Sequence, residues 1–152
     1  MTEGRTALAR LVLAPRPAPA PRVLVIDDDA LARRMLAHAF AARGCEWLTA
    51  DDGYCGFHRL VDELLTLDLV VTDVQMPGLS GVELVHKVRR LGGERDVAIV
   101  AVSAFLDDET CARLTTAGAD AILDKRIGPD AVAGQSLAAL RTRRAAAPPI
   151  RP

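Results

Sequence analysis

Four short apolar, β-branched runs each stop on a residue that carries chemistry. This recurrence constrains the fold more than any other feature of the chain. Val23-Leu24-Val25-Ile26 runs into Asp27-Asp28, and Leu69-Val70-Val71-Thr72 runs into Asp73. Ile99-Val100-Ala101-Val102 runs into Ser103, and Ala121-Ile122-Leu123 leads to Lys125. Runs of this length without polar alternation are strands buried on both faces, the habit of parallel sheets covered by helices. In open parallel sheets ligands bind beyond the carboxyl ends of the strands. Three carboxylates, a hydroxyl and an ammonium at four strand ends therefore describe one site.

The segments between these runs read as helices. Ala32, Met35, Leu36, Ala39 and Phe40 form a helical stripe that predicts a helix over about Ala30–Arg43, with Gly44 as its stop. A second strand is predicted at about Glu46–Ala50 and a second helix at about Tyr54–Leu65. Met76-Pro77-Gly78 makes a loop before a helix at about Gly81–Leu91. Asp107-Asp108-Glu109 places acid in the first turn of a fourth helix, where the helix dipole favours it, and Gly118 closes it. A last helix is predicted at about Asp130–Arg144. The sum is an α/β (βα)5 doubly wound parallel sheet, with strand order 2-1-3-4-5.

Length and charge narrow the choices. A chain of 152 residues makes one domain with short appendages, expected here as a Pro/Ala-rich flexible arm over 1–21, a domain over 22–144 and a flexible tail over 145–152. A short helix near Thr6–Leu13 is expected within the arm. Only 3% of the residues are aromatic, so the core must be Leu, Val, Ala and Ile. Residues 1–22 hold four Arg against one Glu and 126–152 five Arg against one Asp, whereas the stretch between holds ten Lys/Arg against eighteen Asp/Glu. An acidic body with basic ends is not the clustered basic face of a DNA-binding domain. Cys45, Cys55 and Cys111 are odd in number and lack metal-ligand spacing, so they read as reduced thiols in a cytoplasmic setting. No apolar run approaches the roughly 20 residues that span a membrane. His38, His58 and His86 read as solvated side chains, and Trp47 as strand filler.

Asp27, Asp28 and Asp73 would meet across neighbouring strands. Close carboxylates raise one another's pKa unless a cation joins them. Mg²⁺ suits an all-oxygen site that keeps waters for a phosphate. The expected ligands are Asp28, Asp73 and the backbone carbonyl of Gln75, with Asp27 acting through water. Asp73 would keep a free oxygen for attack on phosphorus. Lys125 would neutralise the transferred phosphoryl group and pair with Asp73 beforehand, and Ser103 would donate to a phosphoryl oxygen. Phosphoryl transfer needs mainly positioning and charge neutralisation.

From about Arg22 to Arg144 the chain resembles a receiver domain of a bacterial two-component response regulator. The resemblance rests on Val23-Leu24-Val25-Ile26-Asp27-Asp28-Asp29, the stretch from Val70 to Gly81 around Asp73, Ala101-Val102-Ser103-Ala104, Ala117-Gly118-Ala119-Asp120 and Asp124-Lys125. It implies a flavodoxin-like fold and a phosphoryl group accepted by Asp73 from a phosphohistidine on a sensor histidine kinase or phosphotransfer protein, with Mg²⁺. It makes Ser103 the switch hydroxyl, gives Pro77 and Gly81 the loop after Asp73, and leaves the phosphate accessible beside the small Ala104. Gln75 and Phe105 fall where the family tunes dephosphorylation, and a bulky Phe105 would hinder water. Two residues depart from the pattern. Arg126 replaces the Pro that usually follows the Lys, so a trans, rearranged loop is expected. Ile122 replaces the usual switch aromatic, so an aromatic flip cannot report on Ser103.

Three functions compete. The first is a stand-alone switch, with no DNA-binding output domain expected after Arg144 and output through contacts with a downstream protein, a homodimer being allowed. The second is a degenerate receiver that binds partners without phosphorylation. The third is a haloacid-dehalogenase-like phosphatase with Asp27 as nucleophile and Asp29 as acid, against which Leu31 stands at the position that family gives to Thr or Val. The first two are not metabolic enzymes. None of the three calls for nucleic acid or a membrane as partner.

Overall fold

The structure is a computed structural model, and it describes residues 18–92 and 96–148. Strands and helices alternate: β1 (Arg22–Ile26), α1 (Ala30–Ala42), β2 (Glu46–Ala50), α2 (Gly53–Glu63), β3 (Leu69–Asp73), α3 (Gly81–Leu91), β4 (Ala98–Ser103), α4 (Asp108–Ala117), β5 (Ala121–Asp124) and α5 (Pro129–Ala146). A single 3₁₀ turn, Lys125–Ile127, joins β5 to α5. The five strands lie parallel in the order β2-β1-β3-β4-β5, as the runs predicted.

Alternation along each central strand divides the core in two. Leu24 and Ile26 of β1 join Val70, Ile99, Leu60, Leu84 and Leu114 on the side covered by α2, α3 and α4. Val23 and Val25 join Val71, Val100, Phe40, Val132 and Leu140 on the side covered by α1 and α5. With both faces covered there is no polar face to encode, which is why the strands read as continuous apolar runs.

Local chemistry fixes where the helices begin. The Asp29 carboxylate accepts the N–H groups of Leu31 and Ala32 and caps α1. Asp52 caps α2 and Asp107 caps α4. Ser80 and Glu83 form a reciprocal capping box on α3. Pro129 opens α5, where its missing N–H costs nothing.

Some boundaries differ from the expected ones. The α5 helix runs through Ala146, two residues past its expected end at Arg144. In α1 the buried side is Leu36, Ala37 and Phe40, while Met35 is exposed, so the stripe is turned from the predicted one. His38, His58 and His86 are exposed and Trp47 is half-exposed on the edge strand β2. All three cysteines are free. Residues 1–17 of the arm expected over 1–21, its helix near Thr6–Leu13, and residues 149–152 of the tail lie outside the described residues. No helix of the described residues is long and apolar enough to cross a membrane.

The amino ends of β3, β4 and β5 are closed by charge pairing. Asp120 accepts Arg89 Nη2 and the Ile99 N–H at 2.7 Å each, and also pairs with Arg143. Arg143 reaches Asp96 as well, and Arg144 pairs with Asp68 at 2.7 Å. Arg89 further donates to the carbonyls of Val97 and Gly118.

Candidate functional site

The opposite, carboxyl ends of the strands carry the predicted residues. Asp27 follows β1 and is buried, held there by its N–H bond to Ala50 O at 3.2 Å. Its Oδ1 accepts the Asp29 N–H at 2.9 Å, and its carbonyl accepts Arg33 Nη1 at 2.7 Å. Asp28 is exposed beside it. Asp73 ends β3, its Oδ1 accepting the Val74 N–H at 2.8 Å. One carboxylate oxygen from each of Asp27, Asp28 and Asp73 lies within 4.8 Å of the other two, so the sheet does bring the triad together.

The electrostatics follow from that proximity. Burial, and next the Asp27 charge, push the Asp73 carboxyl up from the ordinary 3.8 to about 6, against the opposing pull of Lys125. Burial works against the charge on Lys125, yet the Asp27 and Asp73 carboxylates prevail and raise its pKa. A group of acidic oxygens that repel one another and cannot spread apart fits a hard divalent cation such as Mg²⁺. Gln75 is exposed on the loop after β3, two residues beyond Asp73.

Lys125 meets the cluster differently from the sequence reading. Its Nζ lies 2.6 Å from Asp27 Oδ2 and 3.5 Å from Asp73 Oδ2, so the closer partner is Asp27, not Asp73. The turn that carries it contains no cis peptide bond, matching the trans loop expected from Arg126. Ser103 ends β4 and is buried, and its Oγ both accepts the Phe105 N–H and donates to the Phe105 carbonyl, each at 3.1 Å. The hydroxyl is thereby folded into the loop after β4, while the Phe105 ring is exposed.

The loop after Asp73 is pinned by buried Val74, Met76 and Leu79. Gly81 donates to Val74 O at 2.8 Å, and a Cβ on Gly81 would stand 2.4 Å from Asp73 O. Only glycine lets α3 start this close to the acceptor strand. Ile122 is half-buried against the α2–α3–α4 side of the core.

Sequence reasoning missed two features. The first is a recess of about 140 Å³ lined by Ile26, Met35, Val71, Val102 and Pro129 together with Asp27, Asp73 and Lys125. The second is an ion pair between Asp124 and Arg126 that brackets Lys125. No spacing signal in the chain announces either, because both depend on how β5 turns into α5.

The model of the response regulator receiver domain matches residues 23–135. The chain belongs to the response regulator receiver family. Its fold is that of a CheY-like receiver protein from Methanospirillum hungatei, with a TM-score of 0.76 at 22% identity over 84% of this chain and 99% of that one. Chemotaxis protein CheY4 of Vibrio cholerae gives 0.68 at 26% identity over 82% and 98%. Among curated relatives, sensor histidine kinase RcsC of Salmonella typhi is 33% identical over 110 residues, 72% of this chain but 11% of that protein. Phosphate regulon regulatory protein PhoB of Pseudomonas aeruginosa is 29% identical over 78% of this chain and 51% of that protein. The receiver thus spans about a tenth to a half of these relatives. Membership sets aside the phosphatase alternative, and Asp29, its supposed acid, is engaged as a helix cap.

Proposed function

We propose that this receiver is a phosphorylation-dependent switch in which Asp73 takes a phosphoryl group from a phosphohistidine on a sensor histidine kinase or phosphotransfer protein. The observation that carries this reading is the convergence of Asp27, Asp28 and Asp73 within 4.8 Å, with the Lys125 ammonium between two of them. An Asp73 oxygen attacks phosphorus. The phosphorus–nitrogen bond breaks as the acyl phosphate forms, and its electron pair leaves with the imidazole. Asp28, Asp73 and the Gln75 carbonyl would hold Mg²⁺, with Asp27 acting through water. Bound there, Mg²⁺ supplies charge neutralisation for the phosphoryl oxygens. Lys125 leaves the shared carboxylates to meet one of those oxygens. Ser103 exchanges its bonds to Phe105 for a phosphoryl oxygen, and that exchange moves the loop after β4. Phe105 and Gln75 set how readily water removes the group. The output is contact with a downstream protein in the cytoplasm.

Intact-protein mass after incubation with acetyl phosphate or phosphoramidate tests this. The expected result is a gain of one phosphoryl group with Mg²⁺, absent from Asp73→Asn and from a metal-free control. No gain by a folded chain overturns the reading. It would favour a binding module that works unphosphorylated, a second reading supported by the engagement of Ser103 Oγ with Phe105.

A further inference from the structure

The β5–α5 connection places an unusual pair around Lys125. Asp124 is the last residue of β5 and stands opposite Ser103 in the sheet register. Its Oδ1 accepts the Arg126 N–H at 2.8 Å and so caps the 3₁₀ turn. The same carboxylate accepts the Arg126 guanidinium, from Nε at 3.0 and 3.1 Å and from Nη2 at 2.6 Å. Backbone and side chain of residue 126 are therefore both held by residue 124. Lys125 is the one residue between them. Arg126 is 77% exposed at its side chain, yet it folds back on this carboxylate instead of extending into water.

The geometry points to Arg126 as a positioning residue: clasped by Asp124, it fixes the turn that aims Lys125 at Asp27 and Asp73. This rests on the reading of Asp73 as phosphoacceptor. Where the family usually has proline, the ring fixes φ and removes the N–H. Arginine leaves φ free, and the clasp supplies the missing restraint through that very N–H. A guanidinium serves because its planar fork meets both carboxylate oxygens at once; an ammonium is a point charge without that fork. Closing a loop of three residues costs little entropy, so even an exposed pair holds it. The restraint acts on the lysine backbone, from which the ammonium reaches Asp27 at 2.6 Å.

The test is a double-mutant cycle between positions 126 and 125, read as the initial rate of phosphoryl uptake from phosphoramidate with Mg²⁺. Arg126→Ala should slow uptake about two- to fivefold, the effect of an exposed ion pair. Arg126→Lys should fall between parent and Ala. In a Lys125→Ala background, Arg126→Ala should change nothing further, because the residue acts through Lys125. Both variants lie on the surface, and their melting temperatures should match the parent. Heteronuclear NMR of the Lys125 ammonium supplies the second readout. Its signal, sheltered by Asp27 in the parent, should broaden or vanish in Arg126→Ala.

An unchanged rate with an unchanged ammonium signal overturns the proposal. So does an equal loss in the Lys125→Ala background. If the parent takes up no phosphoryl group, the phosphoacceptor reading fails instead. The clasp then stands or falls on the ammonium signal alone.

Discussion

Lys125 Nζ approaches Oδ2 of Asp27 to 2.6 Å while standing 3.5 Å from Oδ2 of Asp73. One ammonium thus serves two carboxylates whose side chains are only 7% and 10% exposed. Lys125→Met leaves both without it. The expected cost is about 1–3 kcal/mol in metal-free solution at neutral pH, the penalty for an unpaired group sheltered from water. Mg²⁺ should recover most of it. Thermal melts with and without the cation check this. Phosphoryl uptake should slow on the order of tenfold or more, since a charge aimed at the transition state is lost.

The raised pKa of Asp73 gives a pH dependence with a definite sign. In the folded chain it binds its proton at about 6, in the unfolded chain at 3.8. The folded state therefore holds more protons between those values, and stability falls as pH rises through the window. Above about 6 the full cost is present. Asp73→Asn should stabilise the metal-free protein at neutral pH by on the order of 3 kcal/mol. The gain should shrink toward zero as pH falls below the unfolded value. Melting curves across that range measure it.

Gly81→Ala should cost about 1–3 kcal/mol, the range for forcing atoms into filled space. The new Cβ would meet Asp73 O at 2.4 Å and Val74 Cα at 2.7 Å, and both are backbone atoms with nowhere to turn. Because the clash falls on the acceptor residue, uptake should slow as well. Urea unfolding and the mass assay separate the two effects.

Asp120→Ala should destabilise by about 3 kcal/mol, because it strips the shared partner from two guanidiniums that are 19% and 24% exposed. Asp120 stands at the far end of the sheet from Asp73, so the rate of phosphoryl uptake in the folded variant should stay within about twofold of the parent, as expected of distant, independent sites. Urea unfolding and the mass assay, run side by side, check both halves.

The fold was legible because both faces of the sheet are covered. Val23 through Ile26 advertise a buried strand, and the polar residue after each run marks where the apolar demand ends. The grouping of Asp27, Asp28 and Asp73 followed from strand order alone. The aim of individual side chains did not. Lys125 favours Asp27 because of how the turn after β5 closes, and that turn depends on Asp124 and Arg126 finding each other in space. Ser103 turns to Phe105 because a hydroxyl at a strand end has a backbone donor and acceptor two residues away, a local choice that apolar periodicity does not record. Met35 escaped the predicted buried stripe because the roll of α1 on the sheet is decided by Leu36 and Phe40 filling the core.

The closure of charge at Asp120 stands at one end of the strands, and at the other stand three carboxylates, two of which share the Lys125 ammonium. Durability and reactivity are therefore housed apart. Loops around Asp73 can be rewritten for a new partner or a new phosphoryl lifetime while the foundation stays intact. A designer seeking a tougher receiver should work at Arg89 and Arg143, and one seeking a different signal should leave them alone.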